Sequence, residues 1–310
     1  MHLDLSLSLA GALVGLLVGL SGMGGGALLT PLLVLVFHVP ALAAISSDLV
    51  TSLLMKPVGA AVHLRRRTVH KGVVRWLAIG AVPAALTGAA LIGGIGQVPG
   101  VQGRIKVVIA VVLLASLAST TVRQVVDRQR GERCTEDGVV VRPGRTVAIG
   151  AFGGLAVGTT SVGAGSLVMA LLLVAYPRLR PSQLVGTDMV QAIPLVAAAA
   201  LGHVLFGDVH LAVTASLLLG ALPAVYVGAR LSSQAPAALI RSILAGVLLA
   251  SALALLQVTP LLLAAGALTG IAATAMLSFG ASPDQPCTLG PAEVSVKRSR
   301  QRRSRSIAAR

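Results

Sequence analysis

Charge is what this sequence most lacks. Only 11% of its 310 residues are Asp, Glu, Lys or Arg, against about a quarter in a soluble domain. With 55% hydrophobic residues and a mean hydropathy of +0.89, that shortage excludes a water-soluble globular chain. Aromatic residues are almost as scarce, at 2%. A membrane barrel needs aromatic girdles and strands of alternating polarity, so the spanning segments are expected to be helical. The two cysteines, Cys134 and Cys287, lie far apart in polar stretches and form no CxxC pair. Neither a disulfide framework nor a metal site is indicated, and no cofactor is expected. Acidic residues number 10 against 25 Lys and Arg. The resulting charge of +15 would suit nucleic acid, but every Lys and Arg except Lys56 falls outside or at the edge of an apolar run. That is the distribution of cytoplasmic loops, and it implies a lipid bilayer as the partner and no nucleic acid.

What is abundant is apolar sequence. Runs fall at roughly 8–37, 41–64, 72–95, 104–122, 146–176, 184–206, 211–231, 237–257 and 259–279. Each is close to the about 20 residues a spanning helix requires, except the first and fifth. Those two are longer and interrupted by small residues, and the first is too long and continuous for a cleavable signal. Between residues 123 and 145 the chain reads RQVVDRQRGERCTEDGVVVRPGR, a solvated linker. The expected organisation is a first membrane repeat over 1–122, a cytoplasmic linker over 123–145, a second repeat over 146–257, an extra transmembrane helix over 258–280, and a basic disordered tail over 281–310. The end of that tail, KRSRQRRSRSIAAR, also suits contact with anionic headgroups.

The word repeat is justified residue by residue. Gly11, Gly15, Gly19, Gly24 and Gly26 match Gly150, Gly154, Gly158, Gly163 and Gly165 at a constant shift of 139. After a one-residue insertion, a shift of 140 pairs Asp48 with Asp188, His63 with His203, His70 with His210, Gly80 with Gly220, Pro83 with Pro223 and Gly88 with Gly228. Internal duplication of this kind characterises secondary transporters. If the first and fifth runs are re-entrant hairpins, every basic residue outside Lys56, Arg104 and Lys106 faces the cytoplasm, the tail included. Full spans divide the basic residues far less cleanly, so the hairpin arrangement is expected. Each half then crosses an odd number of times, and the halves are inverted. The fold class is therefore an all-α polytopic membrane protein of two homologous repeats of about four helical segments each, with a broken first segment in each half.

Irregular backbone at membrane depth is tolerated only where protein or a water-filled cavity surrounds it. Gly22, Gly24, Gly25, Gly26, Gly163 and Gly165 therefore predict a backbone-lined site. Helix N-termini at such breaks offer N–H donors and a positive dipole end to an anion. Ser21, Thr160 and Ser161 would add hydroxyl donors. The glycines at every fourth position, Gly11, Gly15 and Gly19 with Gly150, Gly154 and Gly158, read instead as close helix packing. In AISSDLVTS (44–52) and LVGTDMVQA (184–192), Asp48 and Asp188 have two readings. They cap helix N-termini, or they hold a coupling proton or cation, with Ser46, Ser47 and Thr187 as neighbouring donors. His203 is either interfacial or a proton carrier. Lys56 either snorkels or gives the site its positive charge.

The segment G-x-x-x-G-L-S-G-M-G-G-G-x-L-x-x-P, the following SSD, and the run VGTDMVQAIPLVAAAALGHVLFGDVHLAVTASLLLGALPAVYVGARL resemble the sulfite exporter family TauE/SafE. The resemblance covers nearly all of 8–257. It implies a bacterial plasma-membrane permease for a small anion, typically a sulfur-containing one such as sulfite, thiosulfate or an organosulfonate, and no enzyme. Two other readings are open. A passive anion channel would share the same cavity. GLSG at 19–22 fits a G-x-S-G nucleophile motif, but nothing in the sequence identifies a base for Ser21, as an intramembrane serine protease requires. A nucleotide-binding glycine loop would have to follow a strand, and no such context exists.

Overall fold

The computed structural model describes residues 4–21, 25–65, 68–96, 98, 100–130, 141–177, 179, 181–231, 237–257 and 268. Among these residues all regular structure is helical: α1 (Leu5–Ser21), α2 (Gly26–Leu35), α3 (Ala41–Arg65), α4 (Lys71–Gly96), α5 (Val101–Arg130), α6 (Pro143–Thr160), α7 (Leu167–Ala175), α8 (Pro181–Phe206), α9 (Leu211–Leu231) and α10 (Ala237–Leu255). The extra helix expected over 258–280 lies outside the described residues but for Leu268, as does the tail over 281–310.

Among the described residues four helices are long and apolar enough to cross a membrane: Lys71–Gly96, Val101–Val122, Gln183–Phe206 and Leu211–Leu231. The α3 helix has 25 residues, roughly 37 Å of rise. Along it stand the polar residues Ser46, Ser47, Asp48, Thr51, Ser52 and Lys56. Residues 41–49 are nonetheless all buried, so α3 is an inner helix whose polar side chains face protein. The outer helices carry the complementary pattern. Leu5, Leu9 and Leu13 form an exposed stripe on α1, and Val107, Val108 and Val111 are exposed on α5. Apolar surface on this scale is the surface a bilayer covers.

The two long apolar runs are each divided into two helices. The first stops at Ser21 and resumes at Gly26. The other stops at Thr160 and resumes at Leu167. At the second break Ser161 takes a left-handed φ of 62° and donates its N–H to the Val157 carbonyl at 2.7 Å. Thr160 Oγ1 donates to the Ala156 carbonyl at 2.7 Å and accepts the Val162 N–H at 3.2 Å. Groups that a helix end leaves unpaired are thus met locally. Gly163 follows at φ 107°, a conformation that strains any residue with a Cβ.

Glycine sets the closest helix crossings. A Cβ on Gly11, Gly15 or Gly19 of α1 would strike the backbone carbonyl of Leu217, Ala221 or Val225 of α9. One on Gly150, Gly154 or Gly158 of α6 would strike that of Leu77, Ala81 or Ala85 of α4. The facing helices contribute glycines in return: Gly220 and Gly228 of α9 against Ser8 and Leu16, Gly80 and Gly88 of α4 against Val147 and Leu155. The packing reading of the every-fourth glycines therefore holds. At the far end of α1, Asp4 caps the helix: its Oδ1 accepts the Ser6 hydroxyl at 2.6 Å and the Ser6 N–H at 2.9 Å. These bonds, the hydroxyl's first, hold the Asp4 carboxyl below its ordinary value.

Candidate functional site

Asp48, Ser52 and Lys56 recur every four residues and so lie along one face of α3. That face meets the two helix breaks. Asp48 is fully enclosed. Its Oδ2 accepts the hydroxyls of Thr30 from α2 at 2.6 Å and Ser161 from the end of α6 at 2.8 Å, and its Oδ1 accepts the Ser52 hydroxyl at 3.1 Å. The sequence reading of Asp48 and Asp188 as N-terminal caps is overturned. Each is the eighth residue of its helix, two turns past the free N–H groups, and the first N–H of α3, that of Ala41, goes to Gln102 Oε1 at 3.1 Å.

The breaks touch each other through the same residues. A Cβ on Gly26 would overlap the Ser161 carbonyl, and one on Gly25 would come within 3.3 Å of Ser52 Oγ. Here the absence of a side chain lets the start of α2 approach the end of α6. Between them opens a small cavity of about 30 Å³, lined by Gly26, Ser52, Lys56, Ser161, Gly163 and Ser166 with Val196 and Leu248 as apolar walls. That is room for roughly two waters. Gly26 and Ala27 open α2, and Gly165 and Ser166 lead into α7, so two helix N-termini border the same space. Lys56 is half-buried and brings the cavity's cationic side chain. Its ammonium interacts electrostatically with Asp188 as well as Asp48. On α8, Gln191 sits one turn beyond Asp188 and donates Nε2–H to Asp188 Oδ1 at 3.1 Å, while its buried Oε1 has no hydrogen-bond partner among the described residues.

The remaining sequence candidates are distributed around this centre. Gly22 and Gly24 lie outside the described residues. Ser21 donates a long hydrogen bond, 3.4 Å, to the Val18 carbonyl of its own helix. Thr160 braces the α6 break from within. Thr187 accepts the His70 N–H at 3.0 Å and so ties α8 to the start of α4. Ser47 is buried with no partner for its hydroxyl among the described residues. Ser46 donates to the Leu42 carbonyl at 2.9 Å or meets His203 Nδ1 at the same distance. The interfacial reading of His203 is overturned: the ring is fully buried, and Nε2–H donates to the Gly158 carbonyl at 2.8 Å. It holds α3, α6 and α8 together just before the second break.

Sequence reasoning missed Thr30, Ser52, Ser166 and Gln191. Ser52 and Gln191 were within reach of helical spacing from Asp48 and Asp188. Thr30 had no such signal, because it meets Asp48 only through the packing of α2 on α3.

Comparisons with known proteins bear on which family the chain belongs to. The family model for sulfite exporter TauE/SafE matches residues 7–255. The chain is similar to the probable membrane transporter protein YjnA of Bacillus subtilis (strain 168), with 36% identity over 259 residues, 82% of this chain and all of that protein. It is also similar to the probable membrane transporter protein YdhB of the same organism, with 24% identity over 231 residues, 74% of this chain and 91% of that one. No solved structure matches the chain. Helices fit to span a bilayer, a polar inner face on α3 and a family match across both broken segments lead to one assignment: the chain belongs to the sulfite exporter TauE/SafE family and is a multi-pass membrane transporter.

Proposed function

We propose that the chain carries a small anion, of the sulfur-containing class that includes sulfite, thiosulfate and organosulfonates, across a bacterial plasma membrane, through the cavity where the two breaks meet. The observation that carries this reading is the convergence of Lys56 with the Ser52 and Ser161 side chains and two helix N-termini on one cavity. A cation, hydroxyl donors and positive dipole ends are what an anion requires when it leaves water. The cavity's small size suits an inorganic anion, and a larger organosulfonate requires the surrounding helices to part.

The same reading takes the protein as two inverted repeats, 1–122 and 146–257, joined by the cytoplasmic linker 123–145, with re-entrant first segments and a cytoplasmic tail. Support comes from the glycine crossings: the α1–α9 contacts Gly11–Leu217 and Gly15–Ala221 convert, at shifts of 139 and 140, into the α6–α4 contacts Gly150–Leu77 and Gly154–Ala81. Support for inversion comes from the equivalent helices α3 and α8, which run antiparallel: Ser46 near the start of one meets His203 near the end of the other. Such halves rocking about a fixed central site would give alternating access. The protease reading finds little support, since His203 is bonded to Ser46 and Gly158 and Ser21 to Val18.

The test is uptake of labelled sulfite, thiosulfate and sulfoacetate into proteoliposomes containing the purified chain. Saturable exchange of at least one of them, lost on Asp188→Asn with membrane insertion intact, is the expected result. Equal flux with and without protein would sink the reading. Non-saturating flux without counterflow would favour a passive channel.

A further inference from the structure

We propose that Asp48 carries a proton that travels with the anion, and that protonation hands the Ser52 and Ser161 hydroxyls from the carboxylate to the anion. This rests on the cavity reading above. Three hydroxyls converge on Asp48, at 2.6, 2.8 and 3.1 Å. That is the environment of an ionised carboxylate, which only accepts. Thr30 is not among the residues lining the cavity, but Ser52 and Ser161 are, and their carboxylate partner sits behind the wall they form.

A hydroxyl has one proton and can donate it once. While Asp48 is ionised, both hydroxyls point their protons at it, and its negative charge opposes any anion in the adjoining space. Adding a proton removes that charge and converts one carboxylate oxygen into a donor. At least one of the three hydroxyls must then turn its own proton elsewhere, and an anion in the cavity is the acceptor next to two of them. Proton and anion therefore assist each other's binding, and the assistance is equal in both directions. The two move together as cotransported species, which rules against an exchange of anion for proton.

The surrounding charges leave this role to Asp48. Lys56 lies on the same helix face and serves the cavity. From α8, Asp188 is engaged by Gln191 and by the field of Lys56, and His203 by Ser46 and Gly158. The α2 helix contributes no titratable residue, and the only one on α6 is Arg145, near its start. The basic residues Lys71 and Arg75 of α4, Arg104 and Lys106 of α5 and Arg230 of α9 sit toward the ends of their helices.

The experiment measures the steady-state accumulation ratio of an anion in proteoliposomes with the membrane potential clamped at zero. Sulfite, thiosulfate and sulfoacetate are first screened for exchange at equal pH, and those exchanged are then given an inward proton gradient of one unit. One proton per anion drives accumulation toward about tenfold. Asp48→Asn, whose side chain cannot titrate, should exchange more slowly and reach a ratio of one. The ratio does not depend on rate, so a slowed variant still reports coupling. Ser161→Ala should raise the concentration needed for half-maximal exchange several-fold while retaining the gradient response. A second measurement needs no variant: adding anion to wild-type vesicles should alkalinise the medium as protons enter. Exchange that ignores the gradient, acidification in place of alkalinisation, or accumulation by Asp48→Asn would overturn the inference and leave the cavity reading standing. Absence of exchange for all three anions in the wild type would overturn both.

Discussion

At the scale of the residue, Lys56 and Asp188 act on each other electrostatically, and their parts are separable. In the proposed site Lys56 supplies the cavity's positive charge, while Asp188 of α8, itself held by Gln191, acts on that charge electrostatically. Lys56→Met keeps the length and apolar stem of the side chain and removes the charge. A hydrogen bond to a charged group contributes about 1.5–3 kcal/mol, so anion affinity should fall by roughly tenfold to a hundredfold. Competition titration of the exchange rate measures it, and an unchanged affinity would mean the anion does not reach Lys56. Lys56→Arg should retain part of the affinity. Gly163 makes a different kind of demand. Its φ of 107° and the Leu167 side chain 2.8 Å from where a Cβ would stand leave no comfortable place for alanine. Gly163→Ala should cost about 1–3 kcal/mol, read as a lower melting temperature in detergent together with slower exchange. The Asp48, Ser52 and Lys56 face could be traced in the sequence by counting in fours. The meeting of Ser161 with Asp48 could not, because no local periodicity relates residues 113 positions apart.

At the scale of the element, the helices divide by what glycine does in them. At crossings, a glycine lets two backbones approach until a carbonyl occupies the space a methyl group would take. Gly154 of α6 against Ala81 is such a place, whereas a Cβ on Gly103 of α5 meets nothing within 4 Å. Gly154→Leu should therefore force α6 off α4 and cost about 1–3 kcal/mol or more. Gly103→Ala should stabilise α5 by about 0.5–1 kcal/mol, since glycine is the poorer helix former. Thermal unfolding in detergent compares the two directly, and equal effects of the same sign would contradict the packing assigned to α6. The every-fourth spacing made this part of the fold legible in advance. The helix breaks were legible as well, through glycine density in runs too long for one span. What spacing could not say is that Thr160 and Ser161 close the end of α6 with their own side chains. Nor could it say that α3, with its row of hydroxyls, Asp48 and Lys56, would be buried throughout residues 41–49. Hydropathy scores α3 by its side chains and takes no account of the hydroxyls and carboxylates that satisfy one another inside the bundle.

At the scale of the whole molecule, the arrangement of the halves decides which loops face which side. The α3–α8 antiparallel pairing brings Gly207 to Ser46 and His203, and it brings Thr68 to Gly186. These contacts mark opposite ends of the same pair of helices. In the proposed inverted arrangement, the basic residues beside Thr68, Arg65 and Lys71, together with Arg75, put that end in the cytoplasm. The Gly207–His210 end is then external, close to where Gly93 of α4 abuts Phe206. With Cys134 and Cys287 replaced by serine, a single cysteine at Asp208 should react with a membrane-impermeant maleimide added to intact cells. One at Gly144, beside the start of α6, should react only after permeabilisation. Both positions suit the measurement: Asp208 has a solvent-accessible side chain about half exposed, and a Cβ at Gly144 meets nothing within 4 Å. Labelling of both from the same side would overturn the inverted arrangement. It would also remove the geometry in which a proton and an anion enter one cavity from alternate faces, because two halves of like orientation would open their breaks toward the same side.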